Sequence, residues 1–283
     1  MKNIRVIPRI DIKGPNLVKG IHLEGLRVLG KPEDFARYYY EHGADELIYM
    51  DIVASLYGRN SLRDIIEKTA REIFIPFTVG GGIRTLEDIR AILRAGADKV
   101  SVNTAAIKDA NMIREAARKF GSSTIVISIE AIKEPDGRYL AYTDCGREHT
   151  GIEIVAWAKK VEDLGAGEIF LTSVDKDGTG EGYDIELIRR VSETVSIPVI
   201  AYGGAGNCED IVNVIKDGKA DAVSMSSVLH YGVIGNKALD ESSFQSEGNI
   251  TYLKSGKVFS KIEPHTIESI KNSLKASGIM CRH

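Results

Sequence analysis

The segment Ile75-Pro76-Phe77-Thr78-Val79-Gly80-Gly81-Gly82-Ile83 returns 122 residues further on (75 to 197) as Ile197-Pro198-Val199-Ile200-Ala201-Tyr202-Gly203-Gly204-Ala205. Each copy is a short apolar, partly β-branched run closed by glycines, the form of a buried strand that ends in a sharp turn. At the same offset Asp45-Glu46-Leu47-Ile48-Tyr49-Met50-Asp51 matches Gly167-Glu168-Ile169-Phe170-Leu171-Thr172-Ser173. Both follow a helix-like run closed by glycine, His42-Gly43-Ala44 and Leu164-Gly165-Ala166. Ala97-Asp98-Lys99-Val100-Ser101 pairs with Ala220-Asp221-Ala222-Val223-Ser224, one residue out of step. Four blocks in one order at near-constant spacing mark an internal duplication.

Outward from these blocks, short β-branched runs alternate with longer amphipathic ones. Strands are expected to end near Asp11, Asp51, Val79, Val102, Glu130, Ser173, Ala201 and Met225, with helices over Pro32 to His42, Ser61 to Glu72 and Thr85 to Ala95. Strands separated by helices make βαβ units and a parallel sheet. Eight such units in two equal halves predict an α/β chain folded as a single (β/α)₈ TIM barrel. An open doubly wound sheet leaves the two halves unexplained. The length of 283 residues suits one such domain, which takes roughly 250. The half-barrels fall at about 1–122 and 123–283.

The net charge of −3 leaves no basic excess for nucleic acid or an anionic membrane. No apolar run is long enough to span a bilayer, and the opening residues Met1 to Arg9 are broken by arginines and proline, unlike a signal peptide. The cysteines Cys145, Cys208 and Cys281 show no C-x-x-C spacing, and the six histidines form no H-x-x-H or H-E-x-x-H pair. A reducing, cytoplasmic setting is expected, with no disulfide framework, no protein-bound metal and no cofactor.

Barrel chemistry sits at the C-terminal ends of the strands. There the Gly80-Gly81-Gly82 and Gly203-Gly204-Ala205-Gly206 turns follow the third and seventh barrel strands. Glycine lets backbone N–H groups close on an anion. The neighbouring strand ends carry Asn103-Thr104 and Ser226-Ser227, polar residues ahead of helices, whose N-termini favour anions. Each turn alone is equally explained as a tight βα connection with an ordinary helix cap. Their placement at equivalent points of one face favours two phosphate cradles, hence a bisphosphorylated small-molecule substrate.

Asp11 ends the first strand and Glu130 occupies the corresponding place in the second half. A carboxylate inside a barrel is costly unless paired or at work, so the two are candidate acid–base catalysts rather than loop caps. Lys19, Asp51 and Asp177 share that face as candidates for orienting or neutralising substrate. The glycine-bearing loop with Asp177-Gly178-Thr179-Gly180 is placed to fold over ligand.

The strings Leu17-Val18-Lys19-Gly20, Phe77 to Ile83, Val102-Asn103-Thr104-Ala105-Ala106, Asp175-Lys176-Asp177-Gly178-Thr179 and Gly203-Gly204-Ala205-Gly206 resemble the cyclase subunit of imidazole glycerol phosphate synthase, over about Arg5 to Leu229. The resemblance implies a duplicated barrel with a phosphate site in each half and a phosphoribulosyl-formimino aminoimidazole carboxamide ribotide as substrate. It further implies a partner glutaminase whose ammonia crosses the barrel and is incorporated as the imidazole ring closes. On the N-terminal face, Arg5, Glu46, Lys99 and Glu168 match the family's ammonia gate, and Asp98 its glutaminase contact.

Three residues depart from that family. Glu130 replaces an aspartate, and the extra methylene moves the carboxyl by up to ~1.5 Å, where a misplacement of ~1 Å costs about 10²-fold in rate. Arg9 replaces a small neutral residue and puts a permanent cation beside Asp11. Tyr202 replaces a small residue ahead of the second glycine turn. The chain also carries an insertion at about 230–261, with a hairpin pattern over residues 250–259 and a closing helical pattern from Pro264 to Ala276. Two readings follow. One is an ammonia-dependent cyclase–lyase of histidine biosynthesis. The other is a paralogous ammonia conduit serving a separate sugar amidotransferase, for amidination of an acetamido sugar in surface-polysaccharide (O-antigen) synthesis.

Overall fold

The computed structural model describes residues 3–52, 62–235 and 261–282. Strand β1 (Arg5–Lys13) runs into an antiparallel hairpin, β2 (Asn16–Ile21) and β3 (Glu24–Gly30), before α1 (Pro32–Glu41) leads to β4 (Leu47–Asp51). Then come α2 (Arg63–Ala70), β5 (Phe77–Gly80), α3 (Leu86–Arg94), β6 (Lys99–Val102), α4 (Thr104–Lys108) and α5 (Asn111–Phe120). The second half repeats the plan. Strand β7 (Ile125–Lys133) carries its own hairpin, β8 (Tyr139–Thr143) and β9 (Glu148–Glu153), ahead of α6 (Ile154–Asp163) and β10 (Glu168–Ser173). After them follow α7 (Ile185–Ser192), β11 (Val199–Tyr202), α8 (Cys208–Lys216), β12 (Ala222–Met225), α9 (Ser227–Gly235) and α10 (Ile267–Ala276).

Strands β1, β4, β5, β6, β7, β10, β11 and β12 pair in parallel in that order, and β12 returns to β1. The result is a closed eight-stranded barrel jacketed by helices. Closure leaves none of the eight barrel strands at an edge, and the two-residue alternation of each strand sends one side chain inward and the next toward the helices. Ile7, Ile48, Val126, Phe170, Ile200 and Ala222 fill the interior. The opposite strand faces meet the helices in a larger apolar core that includes Leu47, Val100, Ile127, Trp157 and Leu187.

The duplication reaches individual hydrogen bonds. Thr85 caps α3 in a capping box with Asp88, and Asn207 caps α8 in a capping box with Asp210. The Asp98 carboxylate accepts the Phe77 N–H at 2.9 Å, as Asp221 accepts that of Val199 at 2.9 Å. Each satisfies a backbone donor at the start of a barrel strand, where no neighbouring carbonyl reaches.

The two hairpins were not anticipated from the sequence. Their turns bend through non-glycine residues in the left-handed region, His22 and Leu23 in the first and Asp144 and Cys145 in the second. These two tip turns therefore lack the Asn-Gly or Asp-Gly signature of a hairpin, although Asp136-Gly137 in the preceding β7–β8 turn carries it. The C-terminal boundaries also shift. Residues 230–235 belong to α9 and not to an insertion, and the last helix starts at Ile267, capped by Thr266, rather than at Pro264. The hairpin pattern at 250–259 lies outside the described residues. No described helix is long and apolar enough to cross a membrane.

The chain ends are tied together at the N-terminal face. Ile4 donates its N–H to Met280 O at 2.8 Å, and Lys271 of α10 pairs with Asp45 at 2.8 Å. Asp45 also accepts the Val6 N–H at 2.7 Å, and both charged side chains are buried. Removing one partner of a buried pair strands the other, at about 3–5 kcal/mol. Asp45→Ala should lower the unfolding free energy by about that amount in urea titrations. A loss under ~1 kcal/mol would show that the pair does not anchor α10.

Candidate functional site

At the N-terminal end of the barrel four charged side chains form a closed ring. Arg5 bonds Glu46 at 2.7 Å and also bonds Glu168, while Lys99 reaches Glu46 and Glu168 at 3.2 Å each. These residues come from β1, β6 and β10 and from the turn entering β4, all at the same level of the barrel. Burial alone would weaken the Arg5 charge, but Glu168 and Glu46 hold its pKa above the ordinary value.

At the opposite mouth the inward positions of β1 are Arg9 and Asp11. Both are buried, because the hairpin β2–β3 folds over them and delivers Lys19. Arg9 Nε donates to Asp11 Oδ1 at 2.7 Å. Lys19 Nζ lies 3.7 Å from Asp11 Oδ2 and binds both Asp177 oxygens at 2.9 and 3.0 Å. The guanidinium carbon of Arg9 sits 4.2 Å from the Tyr202 ring centroid, and Lys19 Nζ donates to the Tyr202 hydroxyl at 3.2 Å. That hydroxyl shares a hydrogen bond of 3.1 Å with Ser226 Oγ, which donates to Arg9 O at 2.9 Å. Two cations and two carboxylates thus balance in a sealed cluster. Although burial disfavours ionising Asp177, Lys19 and Arg9 hold its pKa below the usual carboxylate value.

Glu130 faces this cluster from β7, which is separated from β1 by three strands in either direction round the barrel. Its Oε2 accepts the Gly146 N–H from the β8–β9 turn at 2.9 Å. Burial raises its pKa from 4.5 to about 7, against the opposing pull of the Gly146 N–H, Arg9 and Asn103. Desolvation favours the neutral acid, and Glu130 does not share the direct ion pairs that Asp11 makes.

A cavity of about 440 Å³ opens between Glu130 and the first glycine turn. Asp51, Gly82, Asn103 and Thr104 line it, together with Arg9 and Glu130. Ser101 Oγ borders the cavity without a hydrogen-bond partner among the described residues, and Asn103 gives an amide N–H to Tyr142 O at 3.2 Å. Over the second turn only about 20 Å³ remains, among Lys19, Asp177, Gly178, Tyr202, Gly203, Gly204, Ser226 and Ser227. The turns themselves need glycine. At Gly81, with φ +97°, a Cβ would stand 2.2 Å from Asp51 O; at Gly203, with φ +99°, it would stand 2.5 Å from Ser173 O.

The fold brings the residues expected at the mouth together with one exception. Thr179 turns its hydroxyl onto Lys176 O at 2.8 Å and lines neither cavity. Asp98 lies exposed on the N-terminal face beside the charged ring, where the resemblance put it, and one of its oxygens is engaged by the Phe77 N–H. Ser101, Ser128 and Asp144 line the large cavity but were not singled out. Ser101 and Ser128 each precede a chosen residue by two positions on the same inward strand face, so alternation would have found them. Asp144 depends on the hidden β8–β9 turn.

A family described as histidine biosynthesis protein matches residues 5–235. The chain is 59% identical over 210 residues to the imidazole glycerol phosphate synthase subunit HisF of Legionella pneumophila, covering 74% of this chain and 99% of that one. It is 48% identical over 238 residues to the corresponding subunit of Alkaliphilus metalliredigens strain QYMF, covering 84% and 94%.

The raised pKa of Glu130 has a consequence for stability. Between pH 4.5 and about 7 the folded chain binds a proton that the unfolded chain has released, so stability falls as pH rises through that window. The expected loss is about 3 kcal/mol, levelling off above pH 7. Glu130→Gln has no such proton and should flatten this component when unfolding free energies are compared from pH 4 to 8. Parallel pH profiles for the two proteins would show that Glu130 titrates normally.

Proposed function

The chain belongs to the histidine biosynthesis protein family, and from that membership we propose that it is the cyclase subunit of imidazole glycerol phosphate synthase. It would combine ammonia with a phosphoribulosyl-formimino aminoimidazole carboxamide ribotide, releasing imidazole glycerol phosphate and aminoimidazole carboxamide ribotide. The observation that carries this reading is the pair of carboxylates on opposite strands of one mouth, Asp11 buried against Arg9 and Lys19 and Glu130 half-buried at the wall of an open polar cavity. Asp11, held by Arg9 and Lys19, is assigned the role of base, and Glu130, poised near neutral pH, the role of proton donor. Gly82, Asn103 and Thr104 are assigned to one phosphate, with Asp51 orienting the substrate. Gly203, Gly204, Ser226 and Ser227 are assigned to the other phosphate, under the loop of Asp177, Gly178 and Thr179.

The ammonia source in this reading is a glutaminase docked on the N-terminal face, with Asp98 at the contact. The Arg5–Glu46–Lys99–Glu168 ring lies across the entry to the barrel axis, so ammonia entering there has to part it. The protein would act in the cytoplasm, without a cofactor.

Two substitutions test the assignment. Asp11→Asn should lower ammonium-dependent turnover by about 10²–10⁴-fold with substrate affinity within a few-fold of wild type. Turnover close to that of wild type would remove Asp11 from the chemistry. Lys99→Ala, assayed with the glutaminase, should change glutamine-dependent turnover more than turnover on added ammonium; equal effects would count against passage through the ring.

A further inference from the structure

The two halves of the barrel place different residues at one equivalent position. Gly80 ends β5 and, 122 residues later, Tyr202 ends β11 (80 to 202). The first half leaves a cavity of about 440 Å³ beside its glycine turn; the second leaves about 20 Å³. A volume of that order holds about one water molecule, far less than a phosphate group with its four oxygens.

The polar groups differ in the same sense. Ser101 Oγ borders the first cavity without a partner among the described residues, and Asn103 reaches it from the same strand face while giving an amide N–H to Tyr142 O at 3.2 Å. In the second half Ser226, the counterpart of Asn103, is already bonded to the Tyr202 hydroxyl and to Arg9 O. Lys19, which lines the space over the second turn, is occupied by Asp177 and by the same hydroxyl. The Tyr202 oxygen therefore stands where a ligand oxygen would meet Lys19 and Ser226. Its ring is clamped against Arg9 at 4.2 Å and packs on Phe170 at 5.5 Å.

We propose that Tyr202 is a specificity-determining residue that keeps the second phosphate cradle closed, so that the resting protein takes a single phosphate group, in the first-half cavity. This rests on the reading of the two glycine turns as phosphate sites. A ligand with two phosphates engages in two steps. The first phosphate docks beside Gly82 and Asn103. The second then replaces the Tyr202 hydroxyl on Lys19 and Ser226, exchanging one set of hydrogen bonds for another while the ring withdraws.

The probe is inorganic phosphate, radiolabelled and counted by equilibrium dialysis against the full chain. Wild type should bind one phosphate per chain, and Asn103→Asp should abolish that binding by placing a negative charge in the first cradle. Tyr202→Ala should bind two. Should that variant fail to fold, the wild-type count still decides, and Tyr202→Phe, which keeps the ring, should remain at one. Two equivalent phosphates on wild type, or one on folded Tyr202→Ala, would overturn the role of Tyr202 and leave the cyclase assignment standing. No phosphate on any of these proteins would overturn the cradles themselves, and this inference with them.

Discussion

Arg9, Asp11, Lys19 and Asp177 are buried together at the mouth of the barrel, and none of the four charges is tolerable there alone. An ion taken out of water loses solvation worth several kcal/mol, which only close opposite charges and hydrogen bonds offset. The direct contacts of 2.7 and 2.9 Å between the pairs meet that condition. They also dictate what surrounds them. Lys19 has to arrive on a hairpin folded across β1, Asp177 on the loop that follows β10, and an aromatic face has to lie beside the Arg9 guanidinium. The covering hairpin, the closed loop and the position of Tyr202 all answer to this cluster.

Whereas Asp11 is paired directly with Arg9 and Lys19, Glu130 sits outside the charge balance. Its surroundings offer a backbone N–H and only more remote cations, so desolvation dominates and the acid titrates near neutral pH. Two carboxyls at equivalent places in a duplicated scaffold are thereby suited to different tasks. A base must be ionised and a proton donor must hold its proton at the same pH. The duplication supplies the matching positions, and the unequal neighbours give the two carboxyls different surroundings.

The strands, the closure of the barrel and the inward placement of Asp11, Asp51, Asn103, Glu130 and Ser226 were legible because buried strands carry local signals. These are β-branched runs, glycine turns and capping residues, each written within a few positions and, in this chain, written twice. The hairpins were not legible, since His22, Leu23, Asp144 and Cys145 adopt left-handed backbone that their identities do not announce. The use of the Thr179 hydroxyl to close its own loop on Lys176 O was likewise not legible from the sequence.

Arg9 and Tyr202 could be named from the sequence as unusual, but not joined. They lie 193 residues apart, and their stacking exists only because β1 and β11 are one strand removed in the closed barrel. The same holds for the inequality of the cradles. Sequence by itself determined that there are two halves, that each bears a glycine turn, and that a carboxylate ends the first strand of each. Tertiary structure alone decided that one glycine turn borders an open cavity and the other a nearly filled space. The space beside a strand end is set by side chains that arrive from the far side of the barrel, and no local pattern records which of them will fill it.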